Sequence, residues 1–323
     1  MLKLIQKYLL CILKKDLIND TIKIKYNYEK IKRIFLKNNI LVAHSPDADD
    51  IFMYYAIKLG WVSLEKTIFD NIALDIETLN QATLKGKYDI CAISFALYPF
   101  VKNDFVLLKT AVSFGDGYGP KIVKLKNKKL KRNFKVALSG KYTTNALLFK
   151  IKYPDAKIVY MNFLDIEQAV LDEKVDAGVL IHESILTYND KLEVEKELWD
   201  IWQELAGKDL PLPLGGMCLR RSIPLNKAID YENTLIHAVK VANNNKLLLS
   251  RMLLERDLIR VDYDTLQTYL GLYANDDSIE LSDLQFKALD KLYSLGFEHG
   301  FYDQIIKSKD YLIPSEYKAL RDN

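Results

Sequence analysis

The sequence predicts an α/β protein of two lobes, a hinged clamshell in which each lobe is a mainly parallel sheet covered by helices. Three observations predict it. Strand-length apolar runs alternate with helical stretches in βαβαβ order from Asn39 onward, the order of a parallel sheet with both faces covered. The same order repeats after residue 120. Between the blocks the chain passes out through Gly117-Tyr118-Gly119-Pro120 and returns through Leu210–Gly216, LPLPLGG, and Gly and Pro suit a hinge, although hinge residues need not be small. The resulting division is an extension at 1–38, lobe 1 at 39–120, lobe 2 at 121–212, and a return to lobe 1 with C-terminal helices at 213–323.

Each element has its own warrant. Ile40–Ala43 is a strand, and Ser45-Pro46 opens a helix that runs over Phe52–Leu59 and stops at Gly60; Ser caps and Pro suits the first helical position. Ile72–Leu79 reads as a second strand, with Asp75 and Glu77 alternating outward, followed by a short helix Asn80–Lys85 ended by Gly86. Ile90–Ser94 is a third strand and Phe95–Val101 a helix. In the second block Lys121–Leu125 and Phe134–Leu138 are strands, with the basic run Lys124–Arg132 as a solvated hairpin loop between them. Ser139–Thr144 turns into the helix Asn145–Ile151. Ile158–Met161, the helix Ile166–Asp172 and the strand Ala177–Ile181 follow. From Tyr231 onward the spacing is helical, with too few strands for another sheet, so the tail packs back on the first block.

Composition narrows the function. The chain has 323 residues, 49% hydrophobic and 28% charged, with net charge +3. That is ordinary for a soluble globular protein of about two domains and makes no electrostatic case for nucleic acid. Cys11, Cys91 and Cys218 are far apart in apolar surroundings, without a CxxC pair; they read as buried thiols in a reducing cytoplasm. No stretch is apolar for the ~18 residues of a membrane span. The N-terminal MLKLIQKYLLCILKKDL is amphipathic, its apolar run Tyr8–Leu13 is short for a signal peptide, and no cleavage site follows. Oligomeric state is open, a homodimer included.

The chemistry centres on VDAGVLIHES. An apolar strand there ends on His182. Strand ends open into the ligand crevice of α/β sheets, and a neutral imidazole takes a proton near physiological pH; the plain alternative is a histidine that caps a loop. His44 also follows a strand. His237 lies in a helical stretch and His299 near a turn, both structural or exposed. Two further loops meet the same crevice. In HSPDADD, Asp47, Asp49 and Asp50 either contact a ligand or complement the helix dipole; a metal site there lacks partners elsewhere. Ser94 ends the third strand and meets a ligand or caps the next helix. Thr143 and Thr144 open a helix whose free N–H groups suit a carboxylate or phosphate, or simply cap it. P-loop, GxSxG, HExxH and dinucleotide signatures are absent.

Taken together, SPDADDIFMYYA, AISFALY, SFGDGYGPKIV, SGKYTTNALL, VDAGVLIHESILTY and LPLPLGG resemble the 1,4-dihydroxy-6-naphthoate synthase family of the futalosine route to menaquinone. The resemblance runs in order from about Asn39 to about Arg221 and more weakly to the C-terminus. It implies a periplasmic-binding-protein type II fold used as a lyase, with cyclic dehypoxanthinyl futalosine as substrate, 1,4-dihydroxy-6-naphthoate and dihydroxyacetone as products, and no cofactor or metal. It implies His182 as general base and Ala92, Ile93, Ser94, Thr143, Thr144, Asn145 and Asp49 as substrate contacts. One departure is visible: many members have Cys-Pro-Asn-Asp where this chain has Asp47-Ala48-Asp49-Asp50, so Asp49 replaces an amide donor by an acceptor.

The residues suit that chemistry without the name. A carboxylate substrate fits a helix N-terminus better than a metal. Proton removal followed by cleavage and aromatisation needs one base in a dry cleft, and clamshell closure would carry His182 onto a substrate held by Ser94. Two rivals share the scaffold: a transporter's solute-binding protein, which the fold alone favours but which is normally exported, and the chorismate dehydratase of the same pathway.

Overall fold

The structure is a computed structural model that describes residues 38–207 and 209–315. The predicted N-terminal extension, Cys11 included, lies outside the described residues except for its last position. The described residues 40–64, 69–207 and 209–315 belong to one compact unit that holds the cores of both sheets.

The first sheet is built from β1 (Asn38–His44), β2 (Thr67–Ala73), β3 (Ile90–Ser94), β4 (Phe105–Leu107), β5 (Ser113–Gly115) and β11 (Leu212–Arg220), in the order β2-β1-β3-β11-β4 with β5 also on β11. Helices α1 (Ala48–Lys58) and α2 (Ile76–Leu84) lie between its first strands, and the short α3 (Tyr98–Val101) follows β3. The second sheet runs β10-β6-β9-β7-β8. Its strands are β6 (Lys121–Leu125), β7 (Lys135–Leu138), β8 (Lys157–Tyr160), β9 (Ala177–Leu180) and β10 (Leu192–Glu197), with helices α4 (Thr144–Lys152), α5 (Phe163–Leu171) and α6 (Leu198–Ala206). The βαβ strands pair in parallel, β1 with β3 and β7 with β8 and β9, whereas β11 and the β6–β10 edge run antiparallel. Both sheets are therefore mixed, with the parallel character confined to their βαβ parts.

Burial explains the central strands. Every residue of β3, ICAIS, and of β9, AGVL, is buried, which is why they read as continuous apolar runs rather than alternating ones. Gly178 is required in β9: a Cβ there would collide with the Ile166 side chain of α5. The C-terminal helices α7 (Leu225–Asn244), α8 (Lys246–Leu254), α9 (Tyr263–Tyr273) and α10 (Asp283–Glu298) add to the first block, α7 against α1 and α10 against β11.

Three expectations change. The strand expected over Ile72–Leu79 ends at Ala73, and Ile76 begins α2. Asp75 is not an outward strand residue but the N-cap, accepting the Thr78 N–H at 3.0 Å. The Lys124–Arg132 run is not a hairpin loop, because β9 lies between β6 and β7. Lys128 in that run pairs with Glu173 at 3.3 Å and Asp176 at 3.2 Å. Within LPLPLGG, Leu212–Gly216 is already strand, paired with β5 and β3. The ladder slips between Pro213 and Gly215, as expected where a proline cannot donate.

Candidate active site

The chain leaves β9 through Ile181 in an extended conformation and turns sharply at His182, whose φ is +56°. A non-glycine residue in the left-handed region marks a constrained position. The imidazole stands edge-on to the Phe163 ring, 5.0 Å between centroids, and is 19% exposed. Its Nε2 lies 3.0 Å from Asp47 Oδ2.

Asp47 occupies the N-cap position of α1 without capping it. Its carboxylate is 1% exposed and is spent elsewhere: besides His182 it takes a hydrogen bond from Ser45 Oγ and one from Arg260 at 2.6 Å. The vacated capping role passes to Glu183 from the second sheet, which accepts the Ala48 N–H at 3.1 Å and lies 3.4 Å from Arg260. Asp50 accepts the Ser45 N–H at 2.7 Å. Asp49, 6% exposed, accepts the Tyr269 hydroxyl at 3.3 Å and no other group among the described residues.

Proton affinities follow from this crowding. Burial alone would lower the His182 pKa, but the Asp47 carboxylate, the foremost of the groups that raise it, outweighs burial and the value rises to about 9. The Asp47 carboxylate thus favours the imidazolium over the neutral imidazole expected from the sequence. Burial would raise Asp47, yet His182, Ser45 and Arg260 together hold it below the usual carboxylate value. Burial, then Asp50 and Asp47, push Asp49 well up. Burial, only partly offset by the Ser45 N–H, raises Asp50 to about 6.

The opposite wall carries hydrogen-bonding capacity. Ser94 is held at the end of β3 by Asn80 of α2, which donates to Ser94 Oγ at 3.2 Å and accepts the Ser94 N–H at 3.0 Å. That leaves the Ser94 hydroxyl proton to donate. Thr143 caps α4, accepting the Ala146 N–H at 3.1 Å and donating to Gly140 O at 3.2 Å. Thr144 Oγ1 donates to Leu214 O at 3.1 Å and accepts the Ala96 N–H at 3.4 Å, so it ties α4 to the first sheet. Asn145 Oδ1 and Ser139 Oγ are buried without a partner. An unsatisfied buried polar atom costs about 1–3 kcal/mol, and a ligand reaching both would remove that cost.

The eight residues expected as base or substrate contacts, His182, Asp49, Ala92, Ile93, Ser94, Thr143, Thr144 and Asn145, line one cleft, together with Asp47 and Asp50. His44 does not: it is 2% exposed, stacked on Tyr54 and bonded to Ser45 O and Asn71, and burial lowers its pKa. His237 and His299 are exposed. Sequence reasoning missed Asp47 as the partner of His182, along with Glu183, Arg260, Ser139, Tyr269 and Tyr273. Asp47 in HSPDADD, Glu183 beside His182 and Ser139 beside the Thr143-Thr144 turn had a local signal; Arg260, Tyr269 and Tyr273 had none. Among the described residues no group of three or more His, Cys, Asp or Glu is disposed to hold a metal ion.

A Streptomyces coelicolor protein named 1,4-dihydroxy-6-naphthoate synthase is 28% identical over 270 residues, 81% of this chain and 94% of the relative. A crystal structure of an Archaeoglobus fulgidus protein is 35% identical with TM-score 0.74, covering 81% of this chain and 98% of that one. The alkanesulfonate-binding protein of Xanthomonas axonopodis superposes with TM-score 0.63 at 12% identity, over 85% of this chain and 97% of that one, so the fold is of the periplasmic-binding-protein type. Residues 40–298 match the menaquinone biosynthesis family, and the chain belongs to it.

Proposed function

We propose that this protein is a lyase that converts cyclic dehypoxanthinyl futalosine to 1,4-dihydroxy-6-naphthoate and dihydroxyacetone, with His182 moving the proton. The observation that carries the reading is the His182–Asp47 pair, 3.0 Å apart, facing Ser94, Ser139 and Asn145 in one cleft. The relative named 1,4-dihydroxy-6-naphthoate synthase supports the product. Ser94, Ser139 and Asn145 hold polar groups of the substrate, and the N-terminus of α4 favours its carboxylate. His182 takes a proton from a ring carbon. The electron pair left behind forms a ring double bond as the dihydroxyacetone unit departs, and the ring becomes aromatic. The proton then returns to the leaving fragment, so no oxidant is needed.

Because Asp47 raises His182 to about 9, the basic form is the minority at pH 7. A base role makes the rate climb with pH toward that value. The same observation favours a second assignment: an imidazolium that donates to the oxygen destined to be a ring hydroxyl, for which the rate falls above about 9. The sign of the limb separates them.

Purified protein incubated with cyclic dehypoxanthinyl futalosine, with chorismate and with buffer alone, read by product mass, tests the proposal. Naphthoate and dihydroxyacetone from the first alone are expected. Dehydration of chorismate would assign the sister activity, and tight binding without turnover would assign a solute-binding protein.

A further inference from the structure

Four carboxyl groups, Asp47, Asp49, Asp50 and Glu183, share this corner with two cations, His182 and Arg260. The cations are taken: Arg260 contacts Asp47 and Glu183, and His182 contacts Asp47. Asp50 has a main-chain N–H at 2.7 Å. Among the described residues, Asp49 has neither cation nor N–H as a partner, and its hydrogen bond is with the neutral Tyr269 hydroxyl at 3.3 Å. Asp50 follows it on α1, Asp47 is the N-cap residue of that helix, and the Tyr273 phenol also lines the cleft. A buried anion so placed is the least stabilised of the four.

We propose that Asp49 stands in the cleft as a neutral carboxylic acid and donates a hydrogen bond to a substrate oxygen, the donor an asparagine amide would supply. The role of that donor rests on the reaction proposed above; the protonation state does not. Burial and the flanking Asp50 and Asp47 favour the neutral form and Glu183 adds to them, and together they outweigh the opposing pull of His182. The acid has an acceptor and a donor oxygen, as an amide has an acceptor and a donor nitrogen. The replacement of the amide in Asp47-Ala48-Asp49-Asp50 therefore preserves hydrogen-bonding capacity, and a carboxylate substrate meets no added negative charge. With the acceptor oxygen engaged by Tyr269, the protonated oxygen is left to favour a substrate group that can accept a hydrogen bond, and Asp49 then helps set specificity.

Two measurements test this. The infrared difference between the wild-type protein and Asp49→Asn at pH 7, without substrate, should show the carbonyl stretch of a protonated carboxyl present only in the wild type. Loss of ionised-carboxylate bands instead would overturn the proposal, and this readout does not depend on what the enzyme acts on. In the second, Asp49→Asn should bind cyclic dehypoxanthinyl futalosine about tenfold more tightly than Asp49→Ala, one hydrogen bond's worth, read as KM. An asparagine variant as weak as the alanine variant would overturn the donor role. A wild type that does not turn the compound over would overturn the proposed reaction while leaving the infrared result to decide the protonation state.

Discussion

At the scale of single residues the site turns on His182 and what Asp47 does to it. His182→Asn is the informative substitution, because asparagine tolerates the positive φ that most residues do not, so the backbone turn survives. Turnover should fall by roughly 10²–10⁴-fold while the melting temperature at pH 7 stays within a few degrees. A kcat near that of the wild type would leave the imidazole as a loop cap only. The pH profile of the wild type should show its limb near 9, not near the ordinary ~6.5 of histidine. His182 was legible because a strand-length apolar run ended on it. Asp47 was not, because an aspartate at a helix start reads as a dipole partner, and only the fold reveals that its oxygens turn toward residues 135 and 213 positions away. Likewise Thr143 and Thr144 were legible as cleft residues, but not that both hydroxyls are already engaged.

At the scale of elements, α2 shows how function leans on local capping. Asp75 caps α2 through the Thr78 N–H, and α2 carries Asn80, which clamps Ser94. Asp75→Ala should cost about 1 kcal/mol, measured by urea unfolding, and should raise KM through Ser94. A loss of stability with KM unmoved would uncouple the helix from the site. The sequence hid this helix because Leu74 and Ile76 alternate with Asp75 and Glu77, a strand period that runs on past the real strand end at Ala73. The pairing of β6 was equally hidden: neighbours in sequence are usually neighbours in a sheet, and here β9 comes between. The all-buried β3 and β9 were read correctly, since a continuous apolar run needs no choice of face.

At the scale of the whole molecule, the two sheets are joined across the cleft by Thr144 to Ala96 and Leu214, by Glu183 to Ala48, and by Glu77 accepting the Tyr142 N–H at 3.3 Å. Thr144→Val removes two of these bonds, each worth about 1 kcal/mol. Hydrogen exchange at the Ala96 amide should accelerate several-fold, and unchanged protection there would mean the joint is held by packing alone. Charge leaves its own signature on stability. A histidine raised to about 9 in the folded state contributes stability that is complete below the unfolded pKa of ~6.5 and vanishes as pH rises through about 9. The wild-type melting temperature should therefore decline between pH 7 and 9.5 by more than that of His182→Asn. Parallel curves for the two proteins would remove the Asp47–His182 pair from the stability account.

One further consequence follows from β3 and β11. Cys91 and Cys218 face each other as register partners on these strands, both 0% exposed, and burial pushes the Cys91 thiol up to about 12 and Cys218 well above its ordinary value. The thiolate is the reactive species, so neither sulfur meets a reagent until the ladder between β3 and β11 parts. In a Cys11→Ser background these two native thiols become a built-in clock for the protein: with reagent in excess, the rate of alkylation reports how often the centre of the first sheet opens. A ligand seated against Ala92, Ile93 and Ser94, on the same strand as Cys91, should slow that clock in proportion to its occupancy, giving a label-based measure of binding that requires no turnover.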